Sequence, residues 1–182
     1  LILDEIQTGI GRTGTLFAYE QYGIEPDVMT LAKGLGSGIP IGAILAKDRA
    51  AVFAPGEHGS TFGGNPVTCA AAHATVKYVI ENDIAGNALR IGQYLMAGLN
   101  QLKGNFPVIT EVRGRGLLIA VEFNSDIASQ VLMACLDKGL LVNRVKPNAL
   151  RLMPPLIISE AEADEALDIL DKVLSSLGEK EV

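Results

Sequence analysis

Lys33 and Asp4 are the two residues of this 182-residue chain whose settings most directly suggest chemistry. Lys33 follows an apolar run and is followed at once by glycines (TLAKGLGSG, residues 30–38), so its amine has little backbone bulk around it. Asp4 ends an earlier apolar run (LILDEIQTG, residues 1–9), about one βα unit upstream. An amine and a carboxylate at neighbouring strand ends suit a pyridoxal-phosphate site. Such a site needs an amine to hold the aldehyde and a carboxylate to keep the pyridine nitrogen protonated.

The flanks of Lys33 bear on its reactivity. Most lysines are surface residues, but apolar or very small residues stand on both sides of this one. We expect the resulting desolvation to favour the neutral amine, which is the nucleophilic form.

Five segments resemble the signatures of class III aminotransferases, and within that family most closely the acetylornithine aminotransferases. They are residues 4–14 (DEIQTGIGRTG), 31–43 (LAKGLGSGIPIGA), 59–66 (GSTFGGNP), 112–118 (VRGRGLL) and 150–156 (LRLMPPL). The match runs from residue 1 to about residue 177. It implies an α/β fold of the pyridoxal-phosphate-dependent transferase fold type I, in a homodimer whose cofactor sites are shared between subunits.

The resemblance also assigns roles near the cofactor. It implies that Lys33 forms the Schiff base with pyridoxal 5'-phosphate and, once freed by substrate, moves a proton between substrate Cα and cofactor C4′. Asp4 is implied to pair with the pyridinium nitrogen, and Gln7 to lie against the ring near its phenolic oxygen. Glu5 and Ile6 belong to the same cofactor-lining stretch.

Three further residues are implied to bind phosphate or substrate. Thr61 is expected on the cofactor phosphate of the other subunit and Ser60 near substrate, and the alternative is that the two residues only form a glycine-rich turn. Arg151 stands between two leucines, where a charge is expensive unless it meets an anion. The resemblance implies that it binds the α-carboxylate of glutamate, and the alternative is a structural salt bridge. Four other polar residues are expected to be structural: Arg12, His58, Arg113 and Arg115.

The implied reaction moves the δ-amino group of N-acetylornithine to 2-oxoglutarate by a ping-pong cycle through pyridoxamine phosphate, as in arginine biosynthesis. Ornithine, succinylornithine or another acylated diamine remains an alternative donor. Gln7 argues against the relatives that form diaminopelargonate, and Arg151 against the glutamate semialdehyde aminomutase.

Residues 9–14 (GIGRTG) also spell the GxGxxG pattern of dinucleotide-binding proteins. The acidic residue that should end the next strand is missing, since Asp27 precedes that strand, and polar residues separate the apolar run from the glycines. An NAD-dependent oxidoreductase is therefore not expected.

Composition excludes several classes of protein. A net charge of −6 gives no basic surface for nucleic acid, and no apolar stretch is long enough to span a bilayer. No metal site is expected. Cys69 and Cys135 are far apart and predicted to be reduced core thiols, which favours a cytoplasmic protein.

Alternating apolar runs and helical patterns predict the secondary structure. The first half should hold strands over 1–6, 28–32 and 41–46 and helices over 15–23, 67–81 and 84–103. The second half should hold strands over 108–113, 116–123, 140–145 and 150–153 and helices over 126–138 and 160–177. Asn65 is expected to cap one helix, Gly139 to end another, and Ser159 with Glu162 to form a capping box.

The domains follow from these elements and from the resemblance. Residues 1–104 are expected to be the C-terminal part of a large cofactor-binding domain with its linking helix, and residues 105–182 a small α+β domain. Because the chain opens inside an apolar strand, we expect it to be a fragment. The family's phosphate loop, stacking aromatic, distal substrate arginine and acidic partner for Arg151 would precede Leu1, so the fragment alone is expected to be inactive.

Overall fold

The structure is a computed structural model that describes residues 1–178. The chain divides into two compact units, the first of which is Leu1–Gly86, while the second begins at Asn87. The boundary between predicted domains at residue 104 stays a prediction.

The first unit contains a three-stranded sheet in the order β1-β2-β3. Its strands are β1 (Ile2–Asp4), β2 (Val28–Leu31) and β3 (Ala43–Ala46). Strand β1 runs parallel to β2, and β2 runs antiparallel to β3. The three predicted strands are thus confirmed, although each is shorter than expected. Strand β1 stops at Asp4 because the chain turns there, with the Gly9 amide donating to the Glu5 carbonyl at 2.9 Å.

Two helical predictions in this unit had different outcomes. The helix expected over 15–23 is only a five-residue 3-10 helix, Ala18–Tyr22, which ends at Gly23 with a φ of 63°. Helix α1 (Pro66–Glu81) begins as predicted, with Pro66 in its first turn. The Asn65 side chain caps it by accepting a hydrogen bond from the Thr68 amide at 3.0 Å.

Cys69 corrects one expectation about the core. It was predicted to be a buried thiol, but it is exposed. Cys69 lies in the first turn of α1, whereas the buried residues of that helix, Ala72 and Val79, lie further along it. Periodicity alone does not indicate how far along a helix its packing partner extends.

The second unit is an α+β arrangement around a four-stranded antiparallel sheet, in the order β4-β5-β7-β6. Helix α2 (Ile84–Asn105) leads into it. The remaining elements are β4 (Ile109–Arg115), β5 (Leu118–Phe123), α3 (Ala128–Asp137), β6 (Asn143–Lys146), β7 (Ala149–Leu152) and α4 (Glu160–Gly178). All of these were predicted from sequence, with bounds that differ by a few residues.

One continuous core holds this unit together. From α2 it takes Leu95, Leu99 and Leu102, which are buried as their helical spacing predicts. Leu89 of the same helix is 45% exposed, because Ala88 and Ile91 occupy the buried positions of that turn. Cys135 is fully buried in this core, as predicted.

Helix ends in this unit follow their sequence signals. Gly139 follows α3 with a φ of 87°, a left-handed conformation that glycine adopts without strain. Before α4, the Glu162 carboxylate accepts from the Ser159 amide at 2.8 Å, and the Glu162 amide donates to the Ser159 hydroxyl at 3.3 Å. The predicted capping box is therefore confirmed. Within residues 1–178, none of the helices combines the length and apolar character needed to cross a membrane.

Candidate active site

Asp4 and Lys33 leave the first sheet at the same edge. Asp4 is the last residue of β1 and pairs in register with Thr30 of β2. Lys33 follows two residues after the end of β2. Because the two strands are parallel, their carboxyl ends lie side by side, and the predicted amine and carboxylate are thereby brought to one edge.

The Asp4 carboxylate is exposed and held by the turn that follows it. Its Oδ1 atom accepts a hydrogen bond from the Ile6 amide at 2.9 Å. Ile6 and Gln7, also predicted to line the cofactor, are half-buried in the same turn. The carboxylate therefore has a preferred orientation while remaining accessible.

Lys33 opens a 3-10 helix, Lys33–Gly36, with an unusual backbone. Its φ of 45° is in the left-handed region, which is rare for residues other than glycine and recurs at functional sites. Leu35 and Gly36 are buried beneath it, and a Cβ atom on Gly36 would lie 2.8 Å from a methyl carbon of Ile41. This tight packing fixes the turn that presents the amine.

The Lys33 side chain itself is exposed, which corrects one expectation. Its apolar and glycine flanks were predicted to desolvate the amine. Leu35 packs into the core of the first unit. The residues that flank Lys33 therefore support the turn but do not cover the amine.

Glu5 is a buried carboxylate with a clear structural task. It is 3% exposed, and its two oxygens accept hydrogen bonds from the amides of Ala18 at 3.1 Å and Tyr19 at 2.9 Å. The Thr8 hydroxyl donates to the same carboxylate. Glu5 therefore ties the turn after β1 to the start of the 3-10 helix, a role that sequence reasoning missed because it placed Glu5 only in the cofactor-lining stretch.

The glycine-rich segment 9–14 forms successive turns. Gly11 and Gly14 have φ values of 89° and 98°. Thr13 is buried, and its carbonyl accepts a hydrogen bond from the Gln21 side chain at 2.8 Å. A dinucleotide fingerprint should open an α-helix, but here the next element is the short 3-10 helix. This geometry argues against dinucleotide binding, in agreement with the sequence argument.

Ser60 and Thr61 lie in an exposed loop that precedes α1. The Ser60 carbonyl accepts a hydrogen bond from the Gly63 amide at 3.4 Å, which shapes the turn. Nearby, the His58 ring contacts the Phe53 ring, with centroids 5.2 Å apart. The two hydroxyls are accessible and flanked by glycine, a setting that suits contact with a phosphate oxygen.

Arg151 lies on β7 in the second unit, half-buried, between Ala120 of β5 and Asn143 of β6. Its Nη2 atom donates a hydrogen bond to Oδ1 of Asn143 at 2.8 Å. Sequence reasoning did not single out Asn143, because its pairing with Arg151 depends on strand register.

Arg113, predicted to be structural, is engaged by two carboxylates on the same sheet. Its guanidinium forms ion pairs with Glu122 at 2.7 Å and Glu111 at 3.0 Å. The hydrogen bond from Arg113 lowers the pKa of Glu122 below its ordinary value. Arg113 is therefore part of a local charge network.

The donor set of the first unit fits pyridoxal phosphate by its chemistry. An accessible carboxylate, Asp4, suits a protonated ring nitrogen, and an accessible primary amine, Lys33, suits an aldehyde. Both groups stand at the carboxyl edge of parallel strands, where ligands of α/β sheets bind.

Comparison with known proteins agrees with this chemistry. The family described as aminotransferase class-III matches residues 1–174. An acetylornithine aminotransferase from Caldanaerobacter subterraneus subsp. tengcongensis is 53% identical over 176 residues, which are 97% of this chain and 45% of that protein.

Solved structures give the same result. The chain superimposes with a TM-score of 0.92 on an acetylornithine aminotransferase from Elizabethkingia anophelis, at 38% identity over 96% of this chain and 45% of the other. It superimposes with a TM-score of 0.93 on the ornithine aminotransferase of Toxoplasma gondii, whose active site is partly occupied by PLP, at 38% identity over 99% of this chain and 44% of the other.

The chain spans less than half the length of these relatives. The family match nevertheless covers nearly all of it, including both strand ends of the first unit and the strand that bears Arg151. The chain belongs to the class-III aminotransferase family.

Proposed function

We propose that the protein is a pyridoxal-phosphate-dependent aminotransferase that moves the δ-amino group of N-acetylornithine to 2-oxoglutarate, as a step of arginine biosynthesis. The observation that carries the proposal is the position of Asp4 and Lys33 at one edge of two parallel strands. The choice of donor is supported by the acetylornithine aminotransferase that is 53% identical to the chain.

The cofactor, when bound, supplies an electron sink that stabilises a carbanion. Asp4 would keep the pyridine nitrogen protonated, a role that suits an accessible carboxylate oriented by the Ile6 amide. Lys33 would hold the cofactor through its side-chain amine. The same amine, when free, would carry a proton to and from the substrate carbon that bears the amino group.

The remaining residues of the first unit orient the cofactor. Gln7 and Ile6 would contact the cofactor ring, Gln7 on the side of its phenolic oxygen. Any contact of Glu5 with the cofactor comes through its backbone, since its carboxylate is occupied by the amides of Ala18 and Tyr19. Thr61 would donate a hydrogen bond from its hydroxyl to the cofactor phosphate of the partner subunit.

Substrate recognition uses Ser60 and Arg151. Ser60 lies near the substrate, and Arg151 binds the α-carboxylate of glutamate and 2-oxoglutarate, because a guanidinium fork matches a carboxylate at two points. The active protein is a homodimer with shared sites. Free thiols at Cys69 and Cys135 are consistent with our proposal of a cytoplasmic protein.

Steady-state kinetics of the complete protein with 2-oxoglutarate test this function. We expect glutamate formation with N-acetylornithine, at a kcat/KM above those for ornithine and succinylornithine. A higher kcat/KM for either of these would replace the proposed donor, and no glutamate from any of the three would overturn the proposed reaction.

A further inference from the structure

Asn143 stands opposite Arg151 because the hairpin between β6 and β7 is irregular. Near the turn, Lys146 pairs with Ala149, but further along Arg144 pairs with Leu150 and Asn143 with Arg151. One extra residue, Val145, is therefore accommodated on β6. This is the geometry of a β-bulge, a feature that re-aims side chains and is frequent beside functional sites.

The irregularity decides which side chain Arg151 meets. If the pairing of Lys146 with Ala149 continued without a shift, Arg144 would stand opposite Arg151, and two like charges would be neighbours. With the shift, Arg144 donates a hydrogen bond to the Ser129 hydroxyl at 2.8 Å, and Asn143 accepts one from Arg151 at 2.8 Å.

We infer that Asn143 is a positioning residue that orients the Arg151 guanidinium for the carboxylate of the amino acceptor. This inference rests on the proposed role of Arg151. The Asn143 side-chain oxygen accepts from one of the five N–H donors of the guanidinium, which restrains the orientation of the fork. A carboxylate bound at two points requires that plane to be set.

The neutral charge of Asn143 is part of the inference. Arg113, on the same sheet, is paired with the carboxylates of Glu111 and Glu122, which neutralise its charge. An amide partner orients a guanidinium through a hydrogen bond without neutralising its charge. Asn143 therefore does not compete with a substrate carboxylate for the charge of Arg151, whereas an aspartate at position 143 would compete with it.

The ping-pong cycle separates the two half-reactions, so the test measures each in single turnover with the complete protein. Asn143→Ala should raise the Kd for glutamate and 2-oxoglutarate about 3- to 10-fold, the range expected for one hydrogen bond. Asn143→Asp should raise it on the order of 10- to 100-fold, because a charged partner holds the guanidinium more strongly. The half-reaction with N-acetylornithine should be unchanged in both.

Arg144→Ala is the matched control. It removes a hydrogen bond of the same length from the neighbouring residue of the same edge strand. We expect it to leave both half-reactions unchanged. If Arg144→Ala weakened glutamate binding as much as Asn143→Ala does, the effect would come from disturbing strand β6, and the inference would be overturned.

Four other outcomes are decisive. Equal losses in both half-reactions, or wild-type affinity in Asn143→Ala, would contradict the role of Asn143. Asn143→Asp preserves the size of the side chain, so it remains a test if Asn143→Ala does not fold. Wild-type affinity for glutamate and 2-oxoglutarate in Asn143→Asp would also contradict the inference. If Arg151→Lys leaves glutamate binding unchanged, the proposed role of Arg151 itself fails.

Discussion

Asp4 on strand β1 is the register partner of Thr30 on the parallel strand β2. Lys33 follows Thr30 by three residues, so backbone pairing sets the carboxylate and the amine at one edge. Neither side chain is needed for the pairing, and both are exposed. Substitutions of Asp4 or Lys33 should therefore affect chemistry far more than folding.

Asp4→Asn should lower kcat on the order of 100-fold or more, the usual cost of losing one preorganised electrostatic contact in an active site. An amide cannot keep the ring nitrogen protonated. Cofactor content, measured by absorbance after release, should remain near one per subunit. Asp48→Asn changes another exposed carboxylate of the same unit and should keep wild-type kcat; equal activity in the two variants would remove Asp4 from the mechanism.

Glu5→Gln should destabilise the protein by about 1–3 kcal/mol, because a side-chain NH2 group would replace one buried acceptor and leave a backbone amide unsatisfied. Denaturant unfolding measures this loss. Glu20→Gln is the control, since Glu20 also accepts a hydrogen bond from a backbone amide, that of Phe17 at 3.1 Å, but is exposed. Similar small losses in both variants would contradict the importance of burial at Glu5.

Arg151→Lys keeps the charge but loses the fork. We expect it to weaken the binding of glutamate and 2-oxoglutarate by roughly 1–3 kcal/mol, the contribution of a charge-assisted hydrogen bond. Absorbance of the bound cofactor should be unchanged. Equal damage to cofactor binding would indicate that Arg151 supports the structure and does not bind the acceptor.

The capping box of α4 predicts a pH dependence. Hydrogen bonds from the Ser159 amide, and then from its hydroxyl, lower the pKa of Glu162 below its ordinary value of 4.5. Its stabilising effect is therefore complete above that value and is lost as the pH falls through the lowered pKa. The Tm difference between wild type and Glu162→Gln should be largest near neutral pH and shrink in acid. A difference independent of pH would contradict this role.

Local signals in the sequence predicted the elements well. Asn65 with Pro66 and Ser159 with Glu162 mark helix starts because each interaction spans only three or four residues. The sequence predicts a helix over 15–23, longer than the 3-10 helix Ala18–Tyr22. The start of that helix is held by Glu5, thirteen residues upstream, and local signals do not reveal this contact.

Features that depend on tertiary packing are harder to predict from the sequence. The exposure of Lys33 and Cys69 depends on which neighbours reach them. The pairing of Asn143 with Arg151 depends on a single-residue irregularity in a hairpin, and a one-residue slip of register changes every facing pair.

Borohydride reduction of the complete protein with bound pyridoxal phosphate tests the proposed role of Lys33 most directly. Reduction makes the covalent attachment permanent, and peptide mapping by mass spectrometry then locates it. We expect the pyridoxyl group on Lys33 and its absence from the Lys33→Ala variant. A pyridoxyl group on Lys47, Lys77 or any other lysine of the wild-type protein would contradict the assignment.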